Sequence, residues 1–256
     1  MTSQRPKPRF WLEPLDLQKH LQGFHELSSD EEAALWSTQL HTTTLEASKE
    51  RMEKALTSEP WHLSCAVMIS DYTPPSLPPD DKEDVTSTTK ETKMIGIIRT
   101  TRASAWGLSI GYKLRSDCWG KGYTTHAIRV FLEMYWSRSR VAPREEVFVS
   151  VGVKEAENEM NGGEVEVTHL IAQVDPENVG SMKVSEKCGG RLVAVEMECV
   201  KVWRFGEMRD MAVWRFGKPF DGHVEKDFCV ERGELLFGDH MTFEPSNSID
   251  MRDTKL

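Results

Sequence analysis

The chain has 256 residues, 39% of them apolar and 29% charged, with a formal net charge of −9; this globular composition excludes a disordered chain. No apolar run approaches the roughly 18 residues that span a bilayer, Met1 to Lys7 is too polar for a signal peptide, and so acidic a chain is a poor partner for nucleic acid. The five cysteines, at 65, 118, 188, 199 and 229, form no CxxC pair, so neither a disulfide framework nor a metal site is expected, and the expected compartment is the cytoplasm.

In chain order, Arg9 to Leu15 reads as a strand, and Leu17 to Trp36 as helix interrupted at the cap-like run Ser28-Ser29-Asp30. Thr44 to Leu56 is a second helix, with Leu45, Met52 and Leu56 on one face. Trp61 to Ile69, Lys93 to Arg99 and Gly107 to Leu114 read as strands of a meander. Further strands are expected at Val147 to Val153, Thr168 to Val174, Cys199 to Phe205 and Asp210 to Phe216. The order predicts a mixed α/β fold with a mostly antiparallel sheet.

Three segments hold most of the acid. Residues 71–93, 154–166 and 221–256 carry net charges of −3, −4 and −5, which leaves +3 on the other 184 residues. Pro74, Pro75, Pro78 and Pro79 mark the first segment and Gly162-Gly163 the second, so these read as solvated loops and a tail.

The stretch from Gly107 to Tyr135 carries the most chemistry. Leu108, Ile110, Tyr112 and Leu114 alternate as one face of a strand, and Ile128, Phe131, Leu132 and Tyr135 recur at helical spacing. Between them lies Trp119-Gly120-Lys121-Gly122-Tyr123-Thr124. Two glycines before a helix allow close backbone approach, and the unpaired N–H groups of the first turn suit a pyrophosphate. Plain turn chemistry explains the same residues. The spacing matches neither the P-loop nor GxGxxG.

Gly111-Tyr112-x-Leu114 followed by Trp119-Gly-Lys-Gly-Tyr-x-Thr125 resembles the acetyl-CoA-binding motif of the GNAT N-acetyltransferase superfamily. The similarity is greatest to the branch of ribosomal-protein N-terminal acetyltransferases. Gly23-Phe-His-Glu-Leu-x-Ser-Asp30 and Val174-Asp-Pro-Glu-Asn178-x-x-Ser181 with Ser185-Glu-Lys-Cys-Gly189 follow the same pattern in the same order.

The resemblance implies one domain over residues 9–220, with 71–93 and 154–166 as insertions and 221–256 as a partly disordered acidic extension. It implies a sheet splayed between its fourth and fifth strands, with helices on both faces. Acetyl-CoA would lie in the splay as co-substrate: backbone groups of Tyr112, Lys113 and Leu114 on the pantetheine arm, and Trp119, Gly120, Lys121, Gly122, Tyr123 and Thr124 around the pyrophosphate. Arg115 is either a phosphate ligand or a surface arginine. Asn178 would bond cofactor or splayed backbone, and Ser181 would protonate the departing thiolate; simple capping explains both residues equally well.

The implied activity is acetyl transfer to a primary amine, of a small molecule or a peptide N-terminus, by direct attack in a ternary complex of a monomer or homodimer. The alternative is an acyl-CoA-binding or regulatory module with little turnover. Four positions depart from the family pattern: Ser109 where a glutamate is frequent, Asp117 ahead of the glycines, His126 in the opening of the long helix, and Gly190 where phenylalanine is usual. The base is unassigned, with His126 and Glu26 as candidates.

Overall fold

The computed structural model describes residues 10–56, 59–70, 92–148 and 163–219. Most of 71–93 and 154–166, and all of the extension expected at 221–256, fall outside the described residues.

The first strand, β1 (Phe10–Pro14), leads into α1 (Leu17–Ser29), whose start is fixed by Asp16 accepting from Lys19 N. Such a cap satisfies one of the four orphan donors of a first helical turn. Helix α2 (Leu45–Ala55) is capped in the same way by Thr44. Strands β2 (Ser64–Ser70), β3 (Thr92–Thr100) and β4 (Leu108–Leu114) follow, then a short 3₁₀ turn, Ser116–Cys118, and α3 (Tyr123–Trp136). The rest comprises β5 (Val141–Pro143), α4 (Arg144–Val147), β6 (Glu164–Glu166), β7 (His169–Val174), α5 (Val179–Lys187), β8 (Arg191–Lys201) and β9 (Met208–Gly217).

Seven strands form one sheet in the order β1-β2-β3-β4-β7-β9-β8. Every neighbouring pair is antiparallel except β4 and β7, the fourth and fifth in order, which run parallel. They are in register only at Leu108↔Leu170 and Ser109↔Ile171. Beyond those two positions the strands part, which is the splay. Helices cover both faces. Alternating residues of β2 to β4 pack Val67, Ile69, Ile98, Leu108 and Ile110 under Ile128, Phe131 and Tyr135 of α3. The opposite face packs Ala66, Met68, Met94 and Ile97 against Phe24, Leu27 and Met52 of α1 and α2. A bulge at Ile95 lets Met94 and Ile97 share that face, since Val67 pairs with Gly96 but Met68 pairs with Met94.

Three expectations are corrected. Residues 147–148 are not strand: Val147 ends the helical turn α4, and Phe148 makes one isolated bridge to Ser104. The strand expected at Cys199 to Phe205 is instead Arg191–Lys201. As the outer strand of the sheet, β8 exposes Leu192, Val195 and Met197 and carries two irregularities of register, so its apolar alternation is lost. The acidic segment 154–166 is not wholly loop, because Glu164–Glu166 pairs with Val141–Pro143.

Candidate functional site

The glycine turn lies at the N-terminus of α3. Gly120 and Gly122 have φ of +72° and +79°, a left-handed conformation that an L side chain adopts only at a cost. A Cβ at either position would meet nothing within 4 Å, so the glycines open the surface rather than fit a crowded one. Gly122 caps α3 without a side-chain acceptor, and the first rung of the helix is His126 N donating to Gly122 O at 3.1 Å. The N–H groups of Tyr123, Thr124 and Thr125 precede that ladder and point out of the helix end. Lys121 Nζ is held at the turn by Asp117 O at 2.8 Å. A polyphosphate fits this cradle in charge and in donor chemistry.

The neighbouring charges are tied to one another. Arg115 Nη1 donates to Glu26 Oε2 at 2.7 Å and its other two nitrogens donate to the Asp117 carboxylate at 3.2 Å. Lys93 Nζ reaches the same Glu26 oxygen at 3.0 Å. Asp30 Oδ2 accepts from both Ser116 N and Ser116 Oγ. Thus the acid of α1 anchors the segment after β4. His126 is exposed on the first turn of α3, tilted against Phe10 at 4.8 Å. Cys118 is 2% exposed, and burial, reinforced by Asp117, pushes its thiol up to about 12, so it is not a nucleophile at neutral pH.

Strand β4 forms one wall of the splay. Ser109 N and O both bond toward β3, through Arg102 O and Thr101 N. By the alternation of an antiparallel ladder, Lys113, opposite Ile97, turns its backbone groups the same way. Tyr112 and Leu114 then turn theirs to the gap. Leu114 O already accepts from Trp119 Nε1 at 3.0 Å, which leaves Tyr112 with both backbone groups directed into the opening. The Lys113 side chain lies on the α1/α2 face, where burial, aided by Arg51 and opposed by Asp30, lowers its ammonium to about 8.

The other wall is β7 and the start of α5. Asn178 Oδ1 accepts from Ser181 N at 3.1 Å, the capping geometry. Buried Tyr112 Oη and Ser185 Oγ have no hydrogen-bond partner of good geometry. Burial pushes the Tyr112 phenol upward, and the hydroxyls of Ser181 and Ser185 oppose that shift. Three hydroxyls therefore converge where the splay meets α5. Gly190 is a steric requirement: a Cβ there would lie 2.8 Å from Ser185 O and 2.9 Å from Phe216 Cε1. The Phe216 ring packs directly against Gly190.

On the α1/α2 face, Ser109 Oγ is buried without a partner. Nearby runs a polar network that no motif singled out. Arg102 Nη2 donates to Gln173 Oε1 at 3.3 Å, Gln173 Nε2 to Glu196 Oε2 at 2.6 Å, and Trp106 Nε1 to Glu196 Oε1 at 2.9 Å. The signal in sequence is faint, a lone glutamate between Val195 and Met197. Pairing of β8 to β9 places it on an inner face.

The family pattern described as Acetyltransferase (GNAT) domain matches residues 9–191. A search of curated proteins found no match. Among solved structures, the acetyltransferase (GNAT family) from Bacillus anthracis aligns at 16% identity and a TM-score of 0.52, over 82% of this chain and 95% of that one. Spermidine N-acetyltransferase from Vibrio cholerae, in complex with CoA and spermine, aligns at 13% identity and 0.52 with the same coverage. The microcin C7 self-immunity acetyltransferase MccE, in complex with acetyl-CoA and AMP, aligns at 13% and 0.53, over 81% and 92%. At these identities the structures show a shared fold, and the family pattern covers well over half of the sequence. The chain belongs to the GNAT acetyltransferase family and is an acyltransferase.

Proposed function

We propose that the chain moves an acetyl group from acetyl-CoA to a primary amine, of a small molecule or a peptide N-terminus, by direct attack within a ternary complex. The observation that carries this reading is the parting of β4 and β7 after two paired positions, with the glycine turn at one wall and Ser181 at the other. Residues 9–220 form the acetyltransferase domain in this reading.

Acetyl-CoA supplies an activated carbonyl and a stable thiolate leaving group. The turn from Trp119 to Thr124 holds its pyrophosphate through backbone N–H groups, the helix dipole and Lys121. Tyr112 offers backbone N–H and C=O to the pantetheine arm, as a neighbouring strand would. Lys113 and Leu114 contribute less, because the backbone of Lys113 turns to β3 and the carbonyl of Leu114 is engaged by Trp119. Ser181 gives its hydroxyl proton to the departing sulfur, and Asn178 holds Ser181 by capping α5 at its backbone. Tyr112 Oη and Ser185 Oγ are placed to return a proton to Ser181. Holding the two reactants in one gap supplies much of the rate.

Titration calorimetry with acetyl-CoA, followed by amine-dependent thiol release over a panel of primary amines, tests this function. Binding with release supports it. Binding without release from any amine overturns it.

A further inference from the structure

A transferase that acts on amines meets its acceptor as an ammonium ion at neutral pH, and the amine must lose that proton before its lone pair is available. Ser109 stands where a carboxylate is frequent in the family, and its hydroxyl is buried without a partner. Glu26 and Asp30 are engaged by Arg115, Lys93 and Ser116. A carboxylate held only by neutral donors is better suited to meet a cationic acceptor.

We propose that Glu196 is that carboxylate: it binds the acceptor ammonium on the α1/α2 face of the splay and takes its proton. The inference rests on the transferase reading given above. Four observations carry it. Gln173, which grips Glu196 Oε2 at 2.6 Å, lies two residues beyond Ile171, the last β7 position paired to β4, and so in the opened part of the gap. Its neighbours in the β7–β9 ladder, Ala172 and Val174, pack into the core under α3, so Gln173 faces the α1/α2 side. Ile171, Ala194 and Val213 form a small apolar cluster with Trp106 on that same side, and Glu196 follows Ala194 by two residues on β8. Finally, the two groups that grip Glu196, Trp106 Nε1 and Gln173 Nε2, are neutral donors. They orient the carboxylate without neutralising it, and no cation is paired with Glu196 among the described residues. Glu196 stands on the outer strand and reaches the opened wall of the gap through Gln173; a half-buried carboxylate oriented there by neutral donors is matched by a cationic amine.

The proton balance is simple. The ammonium gives one proton to a Glu196 oxygen, which passes it to solvent. The freed lone pair forms the new N–C bond as the C–S bond breaks, and Ser181 protonates the departing thiolate. The second proton lost by the nitrogen restores the Ser181 hydroxyl, so that amide, CoA thiol and one proton are the products. The other titratable groups around it are Arg102, which reaches it through Gln173, Cys199 on β8, whose thiol is raised first by burial and then by Glu196 and Asp210, and Asp210 on β9.

The test is Glu196→Gln, which keeps an acceptor for Trp106, with Glu196→Asp as a second variant that keeps the charge on a shorter arm. Thiol release is measured from the full chain with acetyl-CoA and the best-used alkylamine of the panel, at pH 7 and pH 9. For Glu196→Gln the expected kcat/KM at pH 7 is at least about tenfold lower, and the defect shrinks at pH 9, where more amine is already neutral. Glu196→Asp loses less, and acetyl-CoA affinity is unchanged in both. A loss in Glu196→Gln that is equal at the two pH values, or no loss, overturns the inference while leaving the transferase reading intact. A wild-type chain without amine-dependent release overturns both.

Discussion

Arg115 and Glu26 meet at 2.7 Å, joining the segment after β4 to the middle of α1. Each had another candidate role, the arginine as a phosphate ligand and the glutamate as a base. Their contact, reinforced by Asp117 and Lys93, engages both groups and ties α1 to the segment that leads into the glycine turn.

Glu26→Gln should therefore keep turnover within about threefold and lower stability by about 1 kcal/mol, a modest cost because the pair is partly exposed and screened by solvent. Steady-state rates and denaturant melts of the variant check this. A loss of kcat near 100-fold would restore Glu26 as the base.

Gly122→Glu places a side chain and a negative charge where the cradle needs bare backbone. The left-handed φ of +79° adds a strain of about 1 kcal/mol. Acetyl-CoA affinity measured by calorimetry should fall at least about 100-fold, while the variant still melts cooperatively.

Ser181→Ala should lower kcat about 100-fold with little change in acetyl-CoA affinity, the size typical of losing one positioned proton donor. Asn178 accepts from the backbone of Ser181, so the cap survives that change. Asn178→Ala instead removes the cap and should cost about 1 kcal/mol of stability. Rates and melts on the two variants separate chemistry from capping.

The Lys113 ammonium is lowered to about 8, below the value near 10.4 of an exposed lysine. Between these values the unfolded chain binds more protons than the folded one, so this residue makes stability rise with pH from about 8 to 10. Lys113→Met should flatten that rise and stabilise the protein at pH 7, where the wild type bears a buried charge. Melts of both proteins at pH 7 and pH 9.5 report the difference. Acetyl-CoA affinity should be unchanged, because the backbone of Lys113 is spent on β3.

Much of the fold was legible in the sequence where periodicity was strong. The α3 stripe of Ile128, Phe131 and Tyr135 and the β4 alternation lie in the core as expected, because each buries a continuous face. Legibility failed at the edge. Strand β8 exposes alternate apolar residues and bulges twice, so its pattern carries no in–out contrast. The glycine turn was visible because conformation, φ above zero, demands a particular residue. The Arg102–Gln173–Glu196–Trp106 network was not, since its members are up to 94 residues apart in sequence and come together only through the β4–β7 pairing and the β7–β9–β8 ladder.

Amine-dependent release of free thiol from acetyl-CoA by the full chain is the decisive measurement for acetyl transfer to an amine. Release should be saturable in both acetyl-CoA and at least one primary amine, with one acetylated amine formed per thiol. Tight acetyl-CoA binding with no thiol release above the amine-free rate, across the whole panel, would contradict it.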